Sequence, residues 1–153
     1  MKTLVLGVGN ILLKDEGVGI HVARALAQEA LPPDVTVLDG GTGGLHLLSW
    51  LEGYERIILV DATLDGNPPG TIRHLHPHYA SDYPPLMSAH EIGLRDMIEV
   101  MLLNDSCPEV ELFVISVLDV TEPDLQLTPA VEASIPVVVQ QIIRLLKFIV
   151  LFY

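Results

Sequence analysis

One cysteine stands in this chain of 153 residues, Cys107, so no internal disulfide can form. A chain so poor in cysteine fits a reducing compartment, and the expected location is cytoplasmic. Basic residues are scarce too: 8 Lys and Arg face 20 Asp and Glu, a formal net charge of -12. Nucleic acid and anionic membrane surfaces both need a basic face, so neither is expected as a partner. Aromatic residues make up 5% of the chain, which leaves Leu, Val and Ile to fill the interior. The residues before Gly7 carry a lysine and a short apolar run, too little for a signal peptide. The apolar stretch 142–153 holds Arg144 and Lys147 and falls short of the ~20 apolar residues a membrane helix needs. A terminal helix packed on the sheet or on a partner is expected there.

What is present suits a folded core. Apolar residues make up 50% of the chain. A single domain of this length buries roughly 70% of the surface its unfolded form exposes. Residues 1–153 are therefore expected to form one α/β domain. Short apolar runs alternate with helical patterns. Residues 3–6 read as a buried strand ended by Gly7–Val8–Gly9–Asn10. Val18, Val22, Ala25 and Leu26 recur at helical spacing, with Asp15 as the expected N-cap and Pro32–Pro33 as the stop. Residues 35–38 and 57–60 read as strands, ending at Asp39 and Asp61. An extended segment is expected at 71–75 and a further strand at 112–117. Residues 88–103 read as a helix opened by a Ser88/Glu91 capping box. Thr128–Pro129 reads as an N-cap and first helical residue, and Pro136 is expected to begin or kink the last helix. This alternation predicts a mostly parallel sheet covered on both faces.

In such a sheet, ligands bind beyond the carboxyl ends of the strands. Glu16, Asp39 and Asp61 stand at or near three such ends, and His90 lies in the first turn of the capped helix. Each has an ordinary alternative. Glu16 can offset the positive end of its helix, Asp39 and Asp61 can brace their own turns, and His90 can be a surface residue. The first glycine turn lacks the third glycine of a dinucleotide fingerprint, and Asp15–Glu16 place negative charge where a pyrophosphate would bind. His74, His76 and His78 alternate, so a strand would set them on one face. That pattern can bind metal weakly, but a solvated strand end is the expected reading. Cys107 lies in a loop-like stretch, with no base marked beside it.

Taken together, four segments change the balance. Gly7–Val8–Gly9–Asn10 with Asp15–Glu16–Gly17–Val18–Gly19, then Asp39–Gly40–Gly41–Thr42–Gly43–Gly44, then Val60–Asp61–Ala62, then Ser88–Ala89–His90–Glu91 appear in order. This set resembles the nickel–iron hydrogenase maturation endopeptidases, over roughly residues 1–136. The resemblance implies a three-layer α/β/α fold, phosphorylase/hydrolase-like, with a mostly parallel, roughly five-stranded twisted sheet. It implies a metal-contacting trio of Glu16, Asp61 and His90, with Asp39 as a further acidic residue in recognition or cleavage. The implied activity is removal of the C-terminal extension from the nickel-loaded large-subunit precursor of a nickel–iron hydrogenase. The nickel would be carried by that substrate, and the trio can also hold a divalent ion in the free enzyme. Asp39 or Glu16 would serve as general base. Gly40, Gly41 and Thr42 would line the approach of substrate backbone, since glycine offers no side chain to obstruct it. The expected assembly is a monomer or weak homo-oligomer, with the apolar last helix as a meeting surface.

Three other readings compete. A metal-binding maturation chaperone on the same fold would bind the precursor without shortening it. A nucleotide-binding domain would melt higher with nucleotide. A related peptidase would cut another substrate.

Overall fold

Residues 2–41, 52–77, 108–118 and 126–150 are described by the computed structural model of the chain. Five strands form one sheet: β1 (Thr3–Val8), β2 (Val35–Gly41), β3 (Arg56–Thr63), β4 (Ile72–Leu75) and β5 (Glu109–Ser116). Their order is β2-β1-β3-β5-β4. The pairs β1–β2, β1–β3 and β3–β5 are parallel, and β4 runs antiparallel to β5 at the edge. The expected mostly parallel, five-stranded sheet is therefore present.

The strands that read as unbroken apolar runs are the central ones. Every residue of β1 and β3 is buried. A strand buried on both faces has no solvent side to mark with polar residues, so alternation disappears. One face carries Val5, Ile58, Val60, Phe113 and Ile115 and packs against both described helices. The other carries Leu4, Leu6, Ile57, Leu59, Leu112 and Val114 and is buried as well. Burial on both sides is what a layered α/β/α arrangement requires.

Helix α1 (Val18–Leu26) follows a single 3-10 turn, Lys14–Gly17. Its apolar residues Val18, Val22 and Leu26 recur every four positions and enter the core. Helix α2 (Pro129–Val150) is one continuous helix with Pro136 inside it. Pro136 therefore does not begin this helix, the first of the two roles expected for it. Val131, Val138, Val139, Ile142, Ile143 and Leu146 line one face of α2 and bury on the sheet. Keeping that face continuous outweighs the one helical hydrogen bond a proline removes. By length and composition Pro129–Lys147 would also suffice to cross a bilayer. Here, however, its apolar stripe is part of the core.

Asp15 also departs from expectation. The residue that caps α1 is Gly17, with no side-chain capping bond. Asp15 instead accepts hydrogen bonds from the Thr128 amide (2.8 Å) and hydroxyl (2.7 Å), joining the entry of α1 to the start of α2. Sequence distance hid this partner, which lies 113 residues away. The expected helix at 88–103 falls outside the described residues.

Candidate active site

The strand order locates the site before any side chain is considered. From β1 the chain moves to β2 on one side, then crosses back to β3 on the other. The carboxyl ends of β1 and β3 thus flank the point where the order reverses, which is where open α/β sheets bind ligands.

The turn after β1 is tightly built. Gly9 has φ 133, and a Cβ there would lie 2.2 Å from the Glu16 carbonyl oxygen. Only glycine meets both conditions. The Asn10 side chain accepts the Leu12 amide at 3.0 Å, and the Leu13 amide reaches the Asn10 carbonyl at 3.1 Å. The Glu16 amide then bonds the Leu13 carbonyl at 3.1 Å. This chain of short-range bonds delivers Glu16, 5% exposed, to the rim. A carboxylate just before the first turn of α1 also meets the positive end of the helix dipole.

Gly19 brings that helix against the neighbouring strand. A Cβ at Gly19 would lie 2.3 Å from the Val60 carbonyl oxygen and 2.5 Å from that of Val8. The first turn of α1 therefore rests on the ends of β1 and β3 together. Asp61 directly follows Val60, is 2% exposed, and accepts the Ala62 amide at 2.7 Å. Glu16 and Asp61, 45 positions apart, are both buried, one in the 3-10 turn after β1 and one in β3, and that turn packs against β3. Burying two carboxylates is costly unless the site supplies compensating bonds or an ion. His90 and Thr42, the other expected contributors, lie outside the described residues, as do Cys107 and His78.

Asp39 stands apart from this pair. It pairs in register with Gly7, and Gly7 with Val60. Two strand spacings separate it from β3, roughly 10 Å. It falls in line with Val35 and Val37, which pack on the helix-side core, whereas Asp61 falls in line with Ile57 and Leu59 on the opposite face. Its side chain, 40% exposed, meets Arg24 of α1 at 3.3 Å. Gly40 and Gly41, expected in a loop after a shorter strand, belong to β2. The register slips here: Gly7 opposes Asp39 and Val8 opposes Gly41. Gly40 is thus the extra residue of a bulge, a device that re-aims a strand end beside a site. Leu12 and Leu118, 60% and 63% exposed, leave apolar surface at the ends of β1 and β5.

A second polar group was not visible in the sequence as a unit. Arg56 and Glu111, 1% and 2% exposed, form an ion pair of 2.7 Å. His74 Nε2 and His76 Nε2 both approach Glu111 Oε1, at 3.3 and 3.4 Å. His74 and His76 are exposed, as expected of a solvated strand end, and a buried carboxylate sits beneath them. His21 on α1 has a buried Nε2 with no hydrogen-bond partner among the described residues. Burial, reinforced by Arg24 and opposed by Glu132, lowers its pKa below the usual 6.5.

Residues 20–145 match the family model HycI, hydrogenase maturation protease. The chain belongs to the hydrogenase maturation protease family. It is 37% identical to the hydrogenase 2 maturation protease of Escherichia coli strain K12, over 96% of this chain and 92% of the relative. Among solved structures it is similar to the hydrogenase maturating endopeptidase HybD from E. coli. That match has a TM-score of 0.83 and 36% identity, covering 96% of this chain and 93% of the other. The hydrogenase maturation protease HybD from Thermococcus kodakarensis gives a TM-score of 0.76 at 27% identity, covering 95% and 99%. The chain is thus an endopeptidase of hydrogenase maturation, which removes the chaperone and nucleotide-binding readings.

Proposed function

We propose that this endopeptidase removes the C-terminal extension from the nickel-loaded large-subunit precursor of a nickel–iron hydrogenase. In this reading Glu16, Asp61 and His90 recognise the nickel that the precursor already carries. The observation that supports it best is that Glu16 and Asp61 are both buried, in a turn and a strand that pack on one another where the strand order reverses. Two oxygen donors and an imidazole form a mixed set suited to nickel or zinc, with coordination positions left for the substrate's own ligands. A precursor without nickel offers nothing for the trio to complete, so cleavage waits for metal insertion.

Hydrolysis needs a polarised carbonyl and an activated water, and a metal ion held by the substrate can supply both. Glu16 is the better placed general base, being buried at the crevice, whereas Asp39 is half exposed and engaged with Arg24. Asp39 and the bulged strand end at Gly40 and Gly41, with Thr42 beyond it, suit contact with the tail. Leu12 and Leu118 suit apolar residues of that tail. The single cysteine and acidic composition are in keeping with a cytoplasmic enzyme acting on a newly made protein. The test is to mix the protein with large-subunit precursor, with and without nickel, and follow release of a small C-terminal peptide by mass spectrometry. Release only from the nickel-loaded precursor is expected. Release regardless of nickel would overturn the recognition reading, and no release from either would overturn the substrate.

A further inference from the structure

The partnered histidines at the sheet edge have chemistry of their own. His74, His76 and Glu111 each offer one ligand atom, and the three atoms lie within 4.8 Å of one another. We propose that they form a second metal site, for one divalent ion of the zinc or nickel class, separate from the crevice that holds Glu16 and Asp61. Antiparallel pairing of β4 with β5 creates it. His74 lies opposite Phe113, so His74 and His76 share the sheet face of Phe113 and, two residues earlier, Glu111.

The distances favour an ion over direct hydrogen bonding. A charge-assisted hydrogen bond to a carboxylate runs about 2.7–2.9 Å. Arg56 meets Glu111 Oε2 at that length, 2.7 Å. The imidazoles stand off from Oε1 at 3.3 and 3.4 Å. Two ligands bound tetrahedrally at about 2.0–2.1 Å from one ion are themselves about 3.3 Å apart. Two imidazole nitrogens and a carboxylate oxygen favour zinc, nickel or copper over magnesium or calcium, which take oxygen.

The surroundings hold the ligands in place. The His74 ring stacks on Phe113, centroids 4.3 Å apart and planes within 9°. Arg56 fixes the other oxygen of Glu111, the kind of outer bond that orients a ligating carboxylate. Its positive charge also weakens the site, so a modest affinity is expected. His74 borders an open pocket of about 360 Å³, shared with Phe113, Gln141, Arg144 and Leu145, which gives access from solvent. Glu111 pairs in register with Ile58 and Asp61 with Val114, a separation of about 10 Å along the strands. They also leave opposite faces, so one ion cannot serve both.

The test uses zinc alone as probe, in calorimetric titration of the full chain carrying Glu16→Gln, Asp61→Asn and His90→Ala. These changes remove the crevice ligands, so failure of the crevice reading cannot mimic failure here. One equivalent of zinc is expected to bind, and to raise Tm by about 5–10 °C when a hundredfold above its Kd. Adding His74→Ala and His76→Ala should weaken binding at least about tenfold, as loss of two ligands demands. Both histidines are partly exposed, so these changes disturb the core less than Glu111→Gln would. No zinc binding in the crevice-less protein, or equal binding without the two histidines, overturns the proposal.

Discussion

Asp61 and Glu111 are equally buried, each 2% exposed, yet they are kept in different ways. Glu111 is matched by a guanidinium at 2.7 Å, far from the ligand crevice. Asp61 receives a main-chain amide at 2.7 Å and sits at the point where the strand order reverses. A buried acid matched by a buried base serves the fold first. A buried acid seated by the backbone at a ligand crevice is placed for what arrives there. The same residue class thus carries opposite consequences, and substitution should separate them.

The largest stability effect belongs to the Arg56–Glu111 pair. Arg56→Ala leaves a buried carboxylate without its base and should cost about 3–5 kcal/mol in urea unfolding. Replacing both residues by apolar ones of similar size should recover most of that loss. A cost below about 1 kcal/mol for Arg56→Ala would show the pair to be dispensable and erase the contrast with Asp61. Next is Gly19→Ala, which sets a methyl against the Val60 and Val8 carbonyls. It should cost about 1–3 kcal/mol and lower cleavage beyond what the lost stability explains, since α1 must lift Glu16 away from β3. Unchanged cleavage would mean that the crevice tolerates a shift of its first acid.

Smaller effects probe how the crevice is braced. Thr128→Ala removes the hydroxyl donor to buried Asp15 while keeping the amide, and should cost about 1 kcal/mol by the same urea measurement. The smallest effect is that of His21. Its pKa is lowered in the fold, so between that value and 6.5 the unfolded chain binds more protons. Stability is full above pH 6.5 and falls as the pH drops toward the lowered value. His21→Gln should flatten that slope in urea midpoints taken at several pH values, and an unchanged slope would assign it to other groups.

Much of the frame was readable from the chain alone. Unbroken apolar runs at β1 and β3 mark strands buried on two faces, and the runs end at Asp61 and the Gly7–Asn10 turn, where the structure puts the crevice. The extended segment before His76 was also recognisable, though not that it would pair antiparallel with β5. Arg56–Glu111 was invisible because the partners are 55 residues apart and each reads as an ordinary surface charge. Asp15 was misread for the same reason. A local rule made it a helix cap, and a residue from the far end of the chain claimed it. Pro136 shows local preference yielding to a continuous buried face. Strand β2 runs on to Gly41 because a bulge at Gly40, which composition does not reveal, carries pairing past Asp39.

The most direct test replaces the three residues of the proposed nickel-reading trio one at a time. Glu16→Gln and Asp61→Asn are nearly isosteric, and cleavage of nickel-loaded precursor by these two variants and by His90→Ala is followed by mass spectrometry. Each should slow cleavage about a hundredfold or more, with unfolding midpoints close to the parent. If all three variants cut the precursor at the parent rate, a shared ion at this rim has no part in the reaction.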